Sequence, residues 1–160
     1  MTITGNQRMS KFIRRGQDKI KTCYLAEATL PGAVLNIQDF TEFDQGDTDL
    51  GVLLNGDFWE TNAGTNVVTN QRSYFVPLYD AAGCEVIMTE VGGGTISAGA
   101  YVKVTTGGKI ATWTQAEIVA LTNPAGGEDW VVVGTMRDVI GRASESIATS
   151  STGWVRLGRV

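Results

Sequence analysis

Histidine is absent from all 160 residues of this chain. It is the side chain that most readily exchanges a proton near neutral pH. Its absence removes Ser–His and Cys–His nucleophile pairs and every histidine-ligated metal site. Carboxylate dyads, a lysine base or carboxylate-held magnesium are what an enzyme would have left, so the chain is read as non-enzymatic, without catalytic residues. Cysteine is nearly as scarce: Cys23 and Cys84 stand apart, without CxxC spacing. That excludes a zinc site and leaves two buried thiols acting as small hydrophobes as the plain expectation, with a disulfide between them geometrically open. No apolar run approaches the about 18 residues that mark a bilayer-spanning helix. The basic N-terminus lacks the apolar stretch and cleavage site of a secretory signal. Neither membrane, metal nor cofactor is expected, and the chain reads as made and used in a cytosol-like compartment.

Proline occurs only three times, against twenty glycines. Together with abundant Thr, Val and Asn, this favours short strands joined by tight turns. Hydrophobic residues make up 42% and charged ones 19%, which supplies a core and argues against wholesale disorder. A chain of this length forms one domain, or one domain with an appended arm, and buries roughly two thirds of its unfolded surface.

The net charge of −4 conceals a division along the chain. Residues 1–21 carry six bases (Arg8, Lys11, Arg14, Arg15, Lys19, Lys21) against the one acid Asp18, a net of +5. Residues 22–160 carry seven bases and sixteen acids, a net of −9. From Glu27 to Glu60 there are eight acids and no Lys or Arg. A helix begun at Phe12 and Ile13 is interrupted at Gly16 and too short to stand in water. The expectation is a basic N-terminal arm, 1–21, that orders against a partner, ahead of a single β domain, 22–160, whose first half, 22–94, is an elaboration or lobe of that domain. Such an arm reads in three ways: a solvated tail, a nucleic-acid binder, or a segment docking on an acidic protein surface. Phe12, Ile13 and Ile20, interleaved with the bases, supply apolar anchors and favour the third. A neighbouring copy's acidic body is one such surface. Nucleic acid is disfavoured, because the acidic body would repel it.

In the body, Ala100–Trp113 reads as a hairpin turning at Gly107-Gly108, with Val104 opposite Ala111 and Val102 opposite Trp113 on its apolar face. Tyr74–Tyr79 and Cys84–Thr89 read as a second hairpin across Asp80–Gly83. Pro77 places its strand at an edge or bulge. Trp130–Val133 and Trp154–Val160 read as strands, and Ala33–Ile37 and Gly51–Leu54 as weaker ones. Thr114–Glu117 matches a capping box ahead of Ile118–Leu121, which gives a helix of two turns at most, with a strand as the competing reading. Residues 57–70 and 142–153 are polar and read as surface loops. The fold class is therefore all-β: a small barrel or sandwich of short antiparallel strands, with an extended N-terminal arm and at most one short helix.

Three clusters invite chemistry. Asp44–Asp49 crowds three carboxylates around a glycine, but it lacks the calcium-loop positions and reads as a solvated acidic turn. Gly92–Gly94 resembles a phosphate cradle without the Lys-Ser or Lys-Thr that would follow one, and reads as a tight bend. Phe58 and Trp59, in a polar stretch, are candidate interface anchors.

Ile96–Val104, then Gly108-Lys-Ile110, then Trp130–Met136 resembles the capsid cement, or head decoration, proteins of tailed bacteriophages, in which similar strand and turn motifs build a small β-barrel. The resemblance covers roughly residues 95–160. It implies a structural protein of the virion exterior, made in the host cytoplasm, that binds the major capsid protein of an assembled head and clamps adjacent capsomers, commonly as a homotrimer. The candidate contacts are the arm residues Arg8, Lys11, Phe12, Ile13, Arg14, Arg15, Lys19, Ile20 and Lys21. Alternatives are a nucleic-acid-binding barrel using the basic arm and a phage neck or tail component.

Overall fold

Short runs of β-branched and aromatic residues, punctuated by glycine, form strands throughout the chain, whose computed structural model describes residues 12–56, 72–114, 117–122, 128–133 and 138–158. The strands are β1 (Ile13–Arg15), β2 (Lys21–Tyr24), β3 (Val34–Asn36), β4 (Thr41–Glu42), β5 (Leu50–Gly56), β6 (Arg72–Pro77) and β7 (Glu85–Thr89). They continue as β8 (Tyr101–Val104), β9 (Ile110–Thr112), β10 (Glu117–Thr122), β11 (Glu128–Val133), β12 (Val139–Ala143) and β13 (Thr152–Leu157). Helical structure among the described residues is confined to single 3₁₀ turns, such as Gln17–Lys19 and Leu78–Asp80. None is long and apolar enough to cross a membrane. The all-β expectation holds.

Every strand pair is antiparallel. A six-stranded sheet runs β1-β7-β13-β12-β8-β9, a five-stranded sheet runs β2-β6-β5-β3-β4, and β10-β11 pair by themselves. One apolar cluster joins the two larger sheets. Val34, Val52, Leu54 and Val76 of the five-stranded sheet meet Val86, Met88, Val102 and Val155 of the six-stranded one. Each such side chain contributes about 1.5–3 kcal/mol on full burial.

The N-terminal segment departs from the expected arm. Phe12 and Ile13 lie in this core, Ile13 with no exposed surface, and Ile20 packs against it. β1 closes one edge of the six-stranded sheet against β7, and Lys21 begins β2 at an edge of the five-stranded sheet. The physical reason is packing: consecutive Phe12 and Ile13 are buried where β1 pairs with β7, while Arg14 and Arg15 are exposed and reach Glu85. Residues 12–21 therefore belong to the β body, whereas Arg8 and Lys11 lie outside the described residues, as do Phe58 and Trp59.

Other local expectations are corrected by register and by tertiary contact. The hairpin of β8 and β9 forms, but Val104 pairs with Ile110 and Val102 with Thr112, one residue out from the expected pairing. The loop spans Thr106–Gly108, and Thr105 donates its N–H to the Lys109 carbonyl at 2.7 Å. Gly108 sets this length. Its φ is +73°, and a Cβ there would run into the backbone of Val34, so the turn sits directly on β3. Replacing Gly108 with Ala is expected to lower stability by about 2–3 kcal/mol through strain and displacement of β3. Urea denaturation measures this.

Tyr74–Tyr79 and Cys84–Thr89 do not pair. β6 lies between β2 and β5, β7 lies between β1 and β13, and the connection over Leu78–Asp80 crosses from one sheet to the other. Pro77 ends β6 opposite Gly51, beyond the last β2 partner Phe75, so its missing N–H is not demanded. Glu117–Leu121, at the end of the expected capping box, is part of strand β10, paired with β11 from Glu117↔Val133 to Thr122↔Glu128. Partner strand and β-branched residues override the helix signal there. Arg142, Ala143, Thr152 and Gly153, expected in a loop, belong to β12 and β13.

Candidate functional site

Strand alternation sorts β13 cleanly: Gly153, Val155 and Leu157 are buried, while Thr152, Trp154 and Arg156 turn the other way. Register then carries this outer face across the six-stranded sheet. Arg15 of β1 stands opposite Glu85 of β7, Glu85 opposite Arg156, Arg156 opposite Arg142 of β12, and Arg142 opposite Tyr101 of β8. A shift in register between Ile13 and Arg15 also brings Arg14 to Glu85. The result is a transverse row of arginines with aromatic rings beside it.

The contacts within the row are specific. Arg14 Nε donates to Glu85 Oε1, and its guanidinium lies 4.4 Å from the centre of the Trp154 ring. Arg15 Nε lies 3.7 Å from Glu85 Oε2. Arg142 stacks 4.9 Å from the centre of the Tyr101 ring and donates from Nε to the Gly99 carbonyl at 2.9 Å. Tyr101 in turn meets Trp113 edge-on, with centroids 5.9 Å apart. Arg156 has no ionic partner among the described residues.

Glu85 is the one acid in this row and is 5% exposed. Two arginines already share it, so Arg142 and Arg156 have no acidic partner among the described residues. Like charges directly opposite one another destabilise a sheet. Arg15, Glu85, Gly99, Arg142, Ser144 and Arg156 line a groove of about 540 Å³. It offers guanidinium forks suited to carboxylate or phosphate oxygens.

Of the residues singled out from sequence, the structure brings Arg14 and Arg15 into this row. It places Phe12, Ile13 and Ile20 in or against the core. Lys19 lies 3.3 Å from Asp80, whose hydrogen bond and charge raise the lysine pKa. Lys21 is exposed on β2. Sequence reasoning missed Tyr101, Arg142, Trp154 and Arg156 as surface-site residues. The alternation Trp154-Val-Arg156 was the available signal for two of them.

The other clusters resolve differently. Gly92–Gly94 is an anion cradle after all, and its anion is the chain's own Glu90. The Glu90 carboxylate, 1% exposed, accepts N–H groups from Gly92 at 2.6 Å, Gly93 at 2.9 Å and Ser150 at 2.8 Å. Burial by itself raises its pKa, but these backbone donors outweigh that and hold it below the ordinary value of 4.5. Asp44–Asp49 is an acidic turn in which the Asp44 N–H donates to Asp47 Oδ2 at 2.8 Å. No group of three metal-ligating side chains occurs among the described residues. Cys23 and Cys84 are both buried and free, in separate clusters. Burial pushes the Cys23 thiol up to about 12.

No protein-family model, curated protein or solved structure matches this chain.

Proposed function

We propose that this chain is a structural protein of a virion exterior, of the cement or decoration type. It binds the outside of an assembled phage head, contacts the major capsid protein and clamps adjacent capsomers as a homo-oligomer, with a trimer the favoured form. The observation that carries this reading is the transverse arginine row with Tyr101 and Trp154 on the outer face of the six-stranded sheet. Arginine, tyrosine and tryptophan are the residue types that concentrate binding energy at protein interfaces. Mounted on a sheet, they are presented with little mobility, so less ordering entropy is lost on docking.

The resemblance to cement proteins supports the same surface. Residues 95–160 contribute β8, β9, β12 and β13, four of the six strands in the sheet that bears the row. A several-point attachment by linked copies multiplies weak contacts, which is what a clamp on a repeating shell needs. The row, rather than a long N-terminal arm, is the working surface in this reading.

The test is co-sedimentation with purified empty shells of the protein's own particle. Wild-type protein is expected to pellet with the shells. The Arg142→Glu/Arg156→Glu variant, whose substitutions sit on an exposed face, is expected to bind at least about tenfold more weakly. Equal binding by the variant, or retention of duplex DNA with no affinity for shells, would overturn the proposal.

A further inference from the structure

The arginine row has a counterpart of opposite sign elsewhere on the same chain. Glu27, Asp39, Glu42, Asp44, Asp47 and Asp49 fall on or beside β3, β4 and the turn into β5, and no Lys or Arg occurs from residue 22 to residue 71. None of these six carboxylates has a basic partner among the described residues. Hydrogen bonds give the acidic turn a defined shape. Asn36 Nδ2 donates to Asp47 Oδ1 at 3.1 Å, and Gln38 Nε2 lies 3.5 Å from Asp49 Oδ2. Asp44 and Asp49 are exposed.

Among the described residues, no ion pair joins this acidic edge to the arginine row. On the row, Arg142 uses only Nε, toward Gly99, among the described residues, leaving its two terminal nitrogens to face a ligand. Arg156 has its whole guanidinium available there. The two arginines project from adjacent strands, about 5 Å apart. Paired guanidiniums at that spacing match neighbouring carboxylates on a turn, each gripped by two parallel N–H donors. Two complementary patches that are not paired with each other among the described residues are suited to pairing between copies.

Resting on the assembly reading above, we infer that the arginine row serves that assembly by docking the Asp44–Asp49 turn of a second copy, so that its charge reversal weakens shell attachment by uncoupling the linked copies. Subunits joined in this way close into a ring or pair through contacts that add together, while excess surface of either sign remains solvated. The contact is steered by charge and weakens as salt rises.

Sedimentation of the purified chain at low salt is expected to give a mass that is a multiple of 17.1 kDa. Added salt is expected to weaken the association about tenfold or more. Arg142→Glu/Arg156→Glu and Asp44→Lys/Asp49→Lys should each give a folded monomer, and the variant carrying all four substitutions should associate again, because both signs are exchanged. Neutral Arg156→Gln and Asp49→Asn variants give graded versions of the same result if a charge-reversed chain fails to melt cooperatively. Wild-type protein that stays monomeric at low salt, or a folded four-substitution variant that does not associate, would sink this inference. Shell binding separates it from the functional proposal. A wild-type monomer that still pellets with shells overturns only the self-association, whereas an oligomer that ignores shells overturns only the cement reading.

Discussion

Deleting residues 1–21 is expected to abolish the cooperative unfolding transition of the whole domain. The segment looks dispensable from its charge, but it supplies Phe12 and Ile13 to the central cluster and Ile20 to its flank. It also supplies β1, which covers the edge of β7, and the Phe12 carbonyl, which accepts the Ile87 N–H at 3.0 Å. Gly16, at φ +86°, passes so close to Cys84 that a Cβ there would clash with its sulfur. Removing the segment exposes apolar surface in the central cluster and leaves backbone groups of β7 without partners, a loss comparable to the about 5–15 kcal/mol that stabilises an ordinary domain. The single change Ile13→Ala isolates the packing part. It should cost about 2–5 kcal/mol, because Ile13 is fully buried and the cavity cannot be filled by water. For a domain of this size that corresponds to a fall in Tm of about 5–15 °C. Circular dichroism during thermal and urea denaturation measures both variants. A truncated chain that melts within a few degrees of the full-length one would show the segment to be an appendage.

Glu90→Ala is expected to be the most damaging single polar substitution. Its carboxylate ties the glycine bend at Gly92 and Gly93 to Ser150, sixty residues away in sequence. Hydrogen bonds to an ionised acceptor are stronger than neutral ones, and their loss should cost roughly 2–4 kcal/mol. Glu90→Gln keeps the shape and one acceptor oxygen, and should cost less.

The same residue predicts a pH dependence whose sign follows from linkage. The folded-state pKa of Glu90 lies below its ordinary value of 4.5. Its contribution is therefore complete above about pH 4.5 and is lost as pH falls through the lower folded-state value, where the carboxyl must take up a proton and cease to accept three N–H groups. Urea midpoints measured from neutral to acid pH should fall more steeply for wild type than for Glu90→Gln. Parallel profiles would show that the cradle contributes nothing through its charge.

Much of the architecture was legible in the residues themselves. Trp130–Val133 lies in β11 (Glu128–Val133), and of the run Trp154–Val160 the stretch to Leu157 is strand, in β13, as β-branched and aromatic residues favour extended chain. Gly107-Gly108 marked a hairpin correctly, but its loop length depended on Val34, a residue more than seventy positions earlier. The paired reading of Tyr74–Tyr79 with Cys84–Thr89 failed for a similar reason. A short connection permits a hairpin but does not compel one, and burial of Val76 and Val86 is achieved by placing their strands in different sheets. Residues 117–121, which follow a helix-start signal, form strand β10 because a partner strand outweighs that signal.

The candidate site was legible only in fragments. Arg14 and Arg15 were singled out for their charge, but as parts of a partner-seeking arm rather than as clamps on Glu85. Arg142 was assigned to a surface loop. Trp154 is only partly buried and lies under the Arg14 guanidinium, a contact that local sequence does not encode. Gly92–Gly94 stood out without Glu90, because nothing in the local sequence says that a carboxylate folds back into the bend that follows it.

Composition and local pattern alone determined that this protein is a β structure, lacks histidine chemistry and segregates its charge along the chain. Those properties depend on residue type and short-range spacing, which a sequence states directly. Only the tertiary structure decided that the basic leader is half core, that four arginines from three strands form one row, and that a glycine cradle holds its own chain's carboxylate. Each of these requires strand register, and register is fixed by burying apolar faces across distances that local sequence does not encode.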